Sequence, residues 1–246
     1  MNLLIDLGNT RLKWALSGPG RWLSGAAEHR ATDMSVLLDG VWAGVLAPKR
    51  IVMASVADKN TTRAVEHWTQ RRWGSVPHRV HASREQLGVV NSYRNPETLG
   101  ADRWVAMLGA RGVTRHACAV VDCGTAVTVD ALSSAGVFSG GVIIPGYRLL
   151  RQSLGAGTAG VGLADGDGSN CLARATADAV EAGTLFGLAG AIERCVTEQE
   201  RALKEDLELV LTGGDAKLLA PVLQRRATHV PELVLQGLAR VAESLT

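Results

Sequence analysis

The chain has 246 residues, a formal net charge of +2 and four well-separated cysteines (Cys118, Cys123, Cys171, Cys195) without a CxxC pair. This length allows two small domains or one large one. The near-neutral charge gives no pull toward nucleic acid or an anionic membrane, and the thiols fit a reduced compartment better than a disulfide framework or a zinc site. No apolar run approaches the ~18 residues that span a bilayer and no charged-then-apolar leader precedes Asp6, so the expected location is cytoplasmic, with no membrane or nucleic-acid partner.

The opening residues Leu3-Leu4-Ile5-Asp6-Leu7-Gly8-Asn9-Thr10 read as a buried strand over 2–7 with an Asp at its exit and a Gly at the turn. Arg11 to Ser17 alternates and reads as its hairpin partner. Lys13, just beyond the Asp6 turn, is a point charge that can reach a phosphate; by itself it is more simply a solvated strand lysine. After a turn at Ser17–Gly20, Arg21 to Ala27 forms a third strand. The spacing of Val36, Leu37, Val41 and Val45 behind a cap at Thr32 or Asp33 predicts a helix over 33–46. A strand over 50–56, a helix over 60–73 ending in solvated Arg71 and Arg72, and a strand-like run over 77–81 follow. Trp68 and Trp73 read as packing residues. Strand, hairpin, helix, strand, helix, strand is an α/β order with a mixed sheet.

Asn95 and Pro96 supply an N-cap and a first helical position, predicting a helix from there to about Arg111. Gly100 and Ala101 thin one side of it, and Asp102 and Arg103 stand beside that bare patch. In a cleft this pair offers a general base and a carboxylate clamp; on a surface it is an ordinary helix pair.

Ala117 to Asp130 is two apolar, β-branched runs joined by Asp122-Cys123-Gly124-Thr125. Gly lets backbone N–H groups approach an anion, Thr adds a donor and Asp can hold a cation, although the same residues also make a plain hairpin turn. The pattern repeats the opening of the chain. Two related hairpins, one heading each half, predict a duplicated unit with a cleft between the copies. That arrangement resembles the actin, sugar kinase and Hsp70 superfamily. The resemblance implies an α/β fold of two ribonuclease H-like domains of duplicated topology, residues 1–115 and 116–246, with a nucleotide cleft between them.

A third strand of the second unit spans 136–144. Its Gly140-Gly141 and the following Pro145-Gly146 mark close backbone approach and a sharp turn into a helix. The Gly-rich stretch 154–170 reads as a flexible loop: a lid, a dimer-edge loop or simply mobile. A long helix over 173–201 contains Thr176, Gly183, Gly187 and Gly190, small residues that permit close helix packing, including across a subunit interface. A strand over 207–211 leads through Thr212-Gly213-Gly214-Asp215-Ala216 into another helix, and 231–238 with a final helix closes the chain.

Assembled, these motifs resemble the type III pantothenate kinases, the family that includes the Bvg accessory factor proteins. Five motifs carry the likeness in order: Asp6 to Thr10, Gly100 to Trp104, Asp122 to Asp130, Gly140 to Gly146, and Thr212 to Asp215. The resemblance implies ATP-dependent phosphorylation of pantothenate to 4′-phosphopantothenate, the first step toward coenzyme A. It implies that Asp6, Leu7, Gly8, Asn9, Thr10, Arg11, Leu12 and Lys13 form the first phosphate loop, with Asp6 near Mg²⁺, and that Thr125 meets the ATP phosphates. Asp102 is implied as the general base. Gly100, Ala101, Asp102 and Arg103 are implied as pantothenate contacts, Arg103 and Tyr93 orienting it, with Thr176 a further contact. Asp122 is implied as a ligand of K⁺ or NH₄⁺, and the assembly as a homodimer with the pantothenate pocket near the subunit interface. The chain departs from the family pattern twice: Ala175 replaces the Asn that typically precedes the Thr, and Thr158-Ala159-Gly160-Val161 lacks a Leu-Pro pair, which implies a looser loop. The alternatives are a kinase for another small alcohol, opposed by the Gly-Ala-Asp-Arg motif, and a non-catalytic nucleotide-binding accessory protein, opposed by the presence of Asp6, Asp102 and Asp122.

Overall fold

A computed structural model describes residues 1–158, 161 and 164–245. The chain divides into two units, Met1–Val113 together with the segment from Leu233, and Thr114–Glu232.

The first unit is built on β1 (Asn2–Leu7), whose Leu3, Leu4, Ile5 and Leu7 are wholly buried. It pairs antiparallel with β2 (Arg11–Gly18), and β2 with β3 (Arg21–Glu28). The chain then passes through α1 (Met34–Val41) to β4 (Arg50–Ser55), parallel to β1, and through α2 (Lys59–Trp73) to β5 (His78–Arg79), parallel to β4. The order is β3-β2-β1-β4-β5. Each helix begins on an Asp cap: Asp33 accepts from the N–H groups of Ser35 and Val36, Asp58 from those of Asn60 and Thr61. Helix α1 stops at Val41, short of the expected 46. Its fully buried residue is Leu38, with Trp42 just beyond, while Val36 is 65 % exposed, so the buried stripe lies off the predicted one. Trp42 carries the reason: it packs with Trp68 and Trp73 at centroid distances of 5.4 and 5.8 Å, and this aromatic cluster sets which face turns inward.

A short hairpin follows, β6 (Glu85–Gln86) and β7 (Val89–Asn91), turning at Leu87 and Gly88 with φ of 51° and 78°. Leucine at positive φ carries no turn signature, and the sequence does not announce this hairpin. The single helix expected from Asn95 is broken. Pro96–Thr98 is one 3₁₀ turn, Asn95 makes no side-chain cap bond, Leu99 is extended and buried, and α3 (Ala101–Val113) begins afresh. Burying Leu99 pulls the backbone out of the helix, and the Asp102 carboxylate, accepting from the N–H of Arg103, restarts it.

The second unit repeats the plan. β8 (Cys118–Cys123) pairs antiparallel with β9 (Ala126–Leu132), and β9 with β10 (Val137–Pro145). After α4 (Tyr147–Gly157) and α5 (Thr176–Leu203), β11 (Glu208–Thr212) lies parallel to β8, and past α6 (Ala216–Leu219), β12 (Ala227–His229) lies parallel to β11. The order β10-β9-β8-β11-β12 matches that of the first unit strand for strand, which is the duplicated topology expected. Val121, Val127, Val129, Leu188, Ile192 and Leu211 form its core.

The flexible loop expected over 154–170 needs correction where it is described. Helix α4 continues to Gly157. Arg151 donates to the Ala164 carbonyl at 2.8 Å, and the N–H of Asp167 donates to Asp178 at 2.8 Å, so this part is fastened to the start of α5. Ala159, Gly160 and Leu163 lie outside the described residues. The last helix, α7 (Leu233–Ser244), packs on α3, β1 and β4 of the first unit, not with the segment that precedes it, so the boundary drawn at 116–246 leaves one helix on the wrong side. Gly109 and Gly237 explain the close crossing: a Cβ on either would collide with backbone of the opposite helix.

Candidate active site

In the first unit the β1–β2 turn is held by the N–H of Gly8, which donates to the Arg11 carbonyl at 3.0 Å, leaving Asn9 and Thr10 at the tip. Asp6, the last polar residue of β1, is buried and lies opposite Lys13 in register, Nζ to Oδ2 3.7 Å. Leu7 and Leu12 have wholly buried side chains, so what they offer a ligand is backbone; Arg11 and Asn9 are exposed.

At the start of α3, Asp102 is half-buried and its Oδ1 accepts from the N–H of Arg103 at 2.7 Å. The patch left bare by Gly100 is filled by this carboxylate itself: a Cβ on Gly100 would lie 2.7 Å from Asp102 Oδ1. Burial pushes the Asp102 carboxyl above the ordinary Asp range. The Arg103 N–H, the Arg103 charge and the more distant charge of Lys13 oppose that rise without cancelling it. Lys13 therefore acts electrostatically on both Asp6 and Asp102. Arg103 is buried, donates to the Tyr93 hydroxyl at 3.0 Å and lies 5.8 Å from that ring's centroid. The loop bearing Tyr93 is fixed by two residues the sequence did not single out. Asn91, fully buried, accepts from the Tyr93 N–H at 3.0 Å and donates to the Pro96 carbonyl at 3.3 Å, while Arg84 donates to the carbonyls of Asn91 and Tyr93.

In the second unit Asp122 stands at the exit of β8 and Thr125 is exposed at the turn. Gly213, at φ +93°, wraps this turn so closely that a Cβ there would strike the Asp122 carboxylate and the Cys123 backbone. The N–H of Asp215 donates to the Cys123 carbonyl at 2.9 Å, and the N–H of Gly146 to the Thr125 carbonyl at 3.1 Å. The Cys123 thiol is pushed far up by burial, then by the negative charges of Asp122 and Asp215. The Asp122 and Asp215 carboxylates, with the Cys123 and Thr125 carbonyls, are oxygen groups of the kind that suits a hard cation, although both carbonyls already accept a backbone N–H. Among the described residues no three His, Cys, Asp or Glu side chains gather as a metal cage.

Thr176, the first residue of α5, sits elsewhere in this unit. It lines a cavity of about 540 Å³ with Ile144, Leu150, Leu154, Val180 and Thr184, apolar in character and not lined by Asp122 or Thr125.

The two units, alike in strand order and each opening on a hairpin with an Asp at the strand exit, have the fold of sugar-kinase and actin-like ATPase domains. The chain superposes on a glucokinase from an Antarctic psychrotroph with a TM-score of 0.55 at 13% identity, over 99% of this chain and 98% of that one. It superposes on an activator of 2-hydroxyisocaproyl-CoA dehydratase from Clostridium difficile, solved with bound ADPNP, with a TM-score of 0.58 at 12% identity over 99% and 94%. At these identities the likeness is one of fold. A family model for type III pantothenate kinase matches residues 2–198. Proteins named type III pantothenate kinase from Aromatoleum aromaticum and Alkalilimnicola ehrlichii are 42% and 39% identical, covering 98% of this chain in each case and 98% and 97% of those proteins. The chain belongs to the type III pantothenate kinase family.

Proposed function

We propose that this chain transfers the γ-phosphoryl group of ATP to the primary hydroxyl of pantothenate, giving 4′-phosphopantothenate and ADP at the entry to coenzyme A synthesis. The observation that carries the reading is Asp102: a half-buried carboxylate with a raised pKa, oriented by the Arg103 N–H, beside the Arg103–Tyr93 pair and in a chain of this family.

Phosphoryl transfer asks little covalent chemistry of a protein; it asks for positioned phosphates, neutralised charge and an oriented acceptor. Asp102 accepts the hydroxyl proton as the oxygen bonds to γ-phosphorus and the bond to the β–γ bridging oxygen breaks. Arg103 pairs with the pantothenate carboxylate, Tyr93 holding its guanidinium; Gly100, which admits the Asp102 carboxylate against the backbone, and Ala101 are assigned as pantothenate contacts beside it, and Thr176 as a further one. The backbone from Asp6 to Lys13 receives phosphate oxygens, with Lys13 adding a point charge and Thr125 a hydroxyl. Mg²⁺, when bound, neutralises the phosphates, and Asp6 is the carboxylate that would hold it, directly or through water. Asp122 would hold K⁺ or NH₄⁺ at the turn wrapped by Gly213.

We assign the protein to the cytoplasm; no helix among the described residues is long and apolar enough to cross a membrane. A homodimer is favoured by Ile143 (61 % exposed), Val142 and Leu154, which stand out near the α4–α5 cavity.

The test is ADP release from pantothenate and MgATP in K⁺, NH₄⁺ or Na⁺, beside Asp102→Asn. Turnover that requires pantothenate, rises with K⁺ or NH₄⁺ and disappears in the variant supports the assignment. A folded protein that binds nucleotide yet turns over under none of these conditions overturns it.

A further inference from the structure

The chain leaves β3 at His29, which is buried at 9 % exposure and has no place in the motifs of the sequence. Its backbone N–H donates to the Thr10 carbonyl at 3.1 Å, and its ring Nε2 lies 2.9 Å from the Gly8 carbonyl oxygen. A carbonyl oxygen only accepts, so Nε2 carries the hydrogen, and the bond is available whether the ring is neutral or charged. One residue therefore holds both carbonyls that flank Asn9, at the tip of the first hairpin.

We propose that His29 is a positioning residue for nucleotide phosphate: by binding the Gly8 carbonyl it turns the Asn9 N–H outward as an anion donor. The peptide group is planar and trans, so C=O and N–H point in opposite directions, and a carbonyl drawn to His29 fixes the adjoining N–H away from it. Gly8 makes this necessary. Glycine lets the backbone come close to a ligand, but it also lets the Gly8–Asn9 peptide rotate at little cost, which would aim a carbonyl oxygen at the phosphates. The Gly8 N–H is already committed to Arg11, so this peptide is the part of the tip still to be ordered, and the imidazole orders it before substrate arrives. The inference rests on reading the first hairpin as the phosphate loop.

The experiment measures KM for ATP, KM for pantothenate and kcat in the full chain carrying His29→Ala, His29→Asn or His29→Gln, with Lys13→Ala in parallel. The Gln amide N–H reaches about as far as Nε2; the Asn amide does not. Loss of the bond is expected to raise KM for ATP about five- to tenfold, with KM for pantothenate within about twofold. Ala and Asn should show it and Gln should recover most of it. If Ala does not fold, the Asn–Gln contrast decides. A KM for ATP unchanged in Ala and Asn, an equal rise in both KM values, or Gln no better than Asn overturns the proposal. If Lys13→Ala weakens ATP while the His29 variants do not, the role of His29 alone fails; if Lys13→Ala also leaves ATP unaffected, the hairpin reading fails with it.

Discussion

The backbone N–H of Arg103 donates to the Asp102 carboxylate at 2.7 Å, yet burial still lifts that carboxyl above the ordinary Asp value of 3.8. A base must be ionised to accept a proton, so activity is lost as pH falls through the raised pKa. The acidic limb of kcat/KM should therefore lie above 3.8. Asp102→Asn should lower kcat by about 10²-fold or more while ATP and pantothenate still bind. The same shift makes a stability statement. A carboxyl whose folded pKa is raised favours folding below its unfolded pKa, and that contribution is lost as pH rises through the folded value. At neutral pH the ionised Asp102 thus costs stability, and Asn, which keeps an oxygen for the Arg103 N–H, should melt at a higher temperature than Asp. A variant that loses turnover and gains Tm separates a catalytic carboxylate from a structural one; a fall in Tm would argue that Asp102 mainly holds α3.

Arg103 is held by the Tyr93 hydroxyl and by the face of the same ring. Tyr93→Phe removes the first hold and keeps the second. It should raise KM for pantothenate about three- to tenfold with little change in kcat or KM for ATP. Arg103→Lys loses the planar fork and should cost more on the same constant. Steady-state kinetics with each substrate varied checks both, and a change confined to KM for ATP would remove the clamp assignment.

β1 and β8 were legible because each is a continuous apolar run ended by Asp-x-Gly, β10 because it ends in Pro-Gly, and the duplication followed from two hairpins of one type. What escaped the sequence depends on contacts between distant residues. The face of α1 is set by Trp42 meeting Trp68 and Trp73, the break at Leu99 by its burial, and the placement of α7 by Gly109 and Gly237, which admit two helix backbones at contact distance. Of the residues proposed for the site, Asp6, Lys13, Asp102 and Arg103 sit on short motifs that the sequence displays. His29 acts on a carbonyl 21 residues away that only folding brings near, and no local pattern marks it, whereas Asn91 caps the Tyr93 N–H two residues on, a short-range Asn turn that the sequence does display.

Arg225 grips Glu200 with two nitrogens at 2.7 and 2.8 Å, tying the residues after α6 to α5. This hydrogen bonding holds the Glu200 carboxyl below its ordinary value. A depressed carboxyl stabilises the fold above its unfolded pKa, and the contribution is lost as pH falls through the folded value. Arg225→Ala should therefore lower stability by about 1–2 kcal/mol at pH 7, and the gap between variant and parent should close as the medium becomes more acidic than the ordinary Glu range. Urea unfolding at several pH values reads this directly; a gap independent of pH would mean that the Arg225 stem, not the ion pair, supplies the contact.

Gly213 ties the proposed cation site to the fold. Its φ of +93° costs an L side chain about 1–2 kcal/mol, and the Cβ would drive into the Asp122 carboxylate and the Cys123 backbone. Gly213→Ala can form only if Asp122 moves. It should flatten the dependence on K⁺ or NH₄⁺ toward the Na⁺ level and lower Tm, with KM for pantothenate nearly unchanged, because Tyr93 and Arg103 belong to the other unit. Gly40→Ala, in α1 with open space around it, is the matched control and should leave cation dependence as it is. If Gly213→Ala keeps full cation activation in a folded protein, the monovalent ion does not sit on Asp122, and its site must be sought away from the β8–β9 turn.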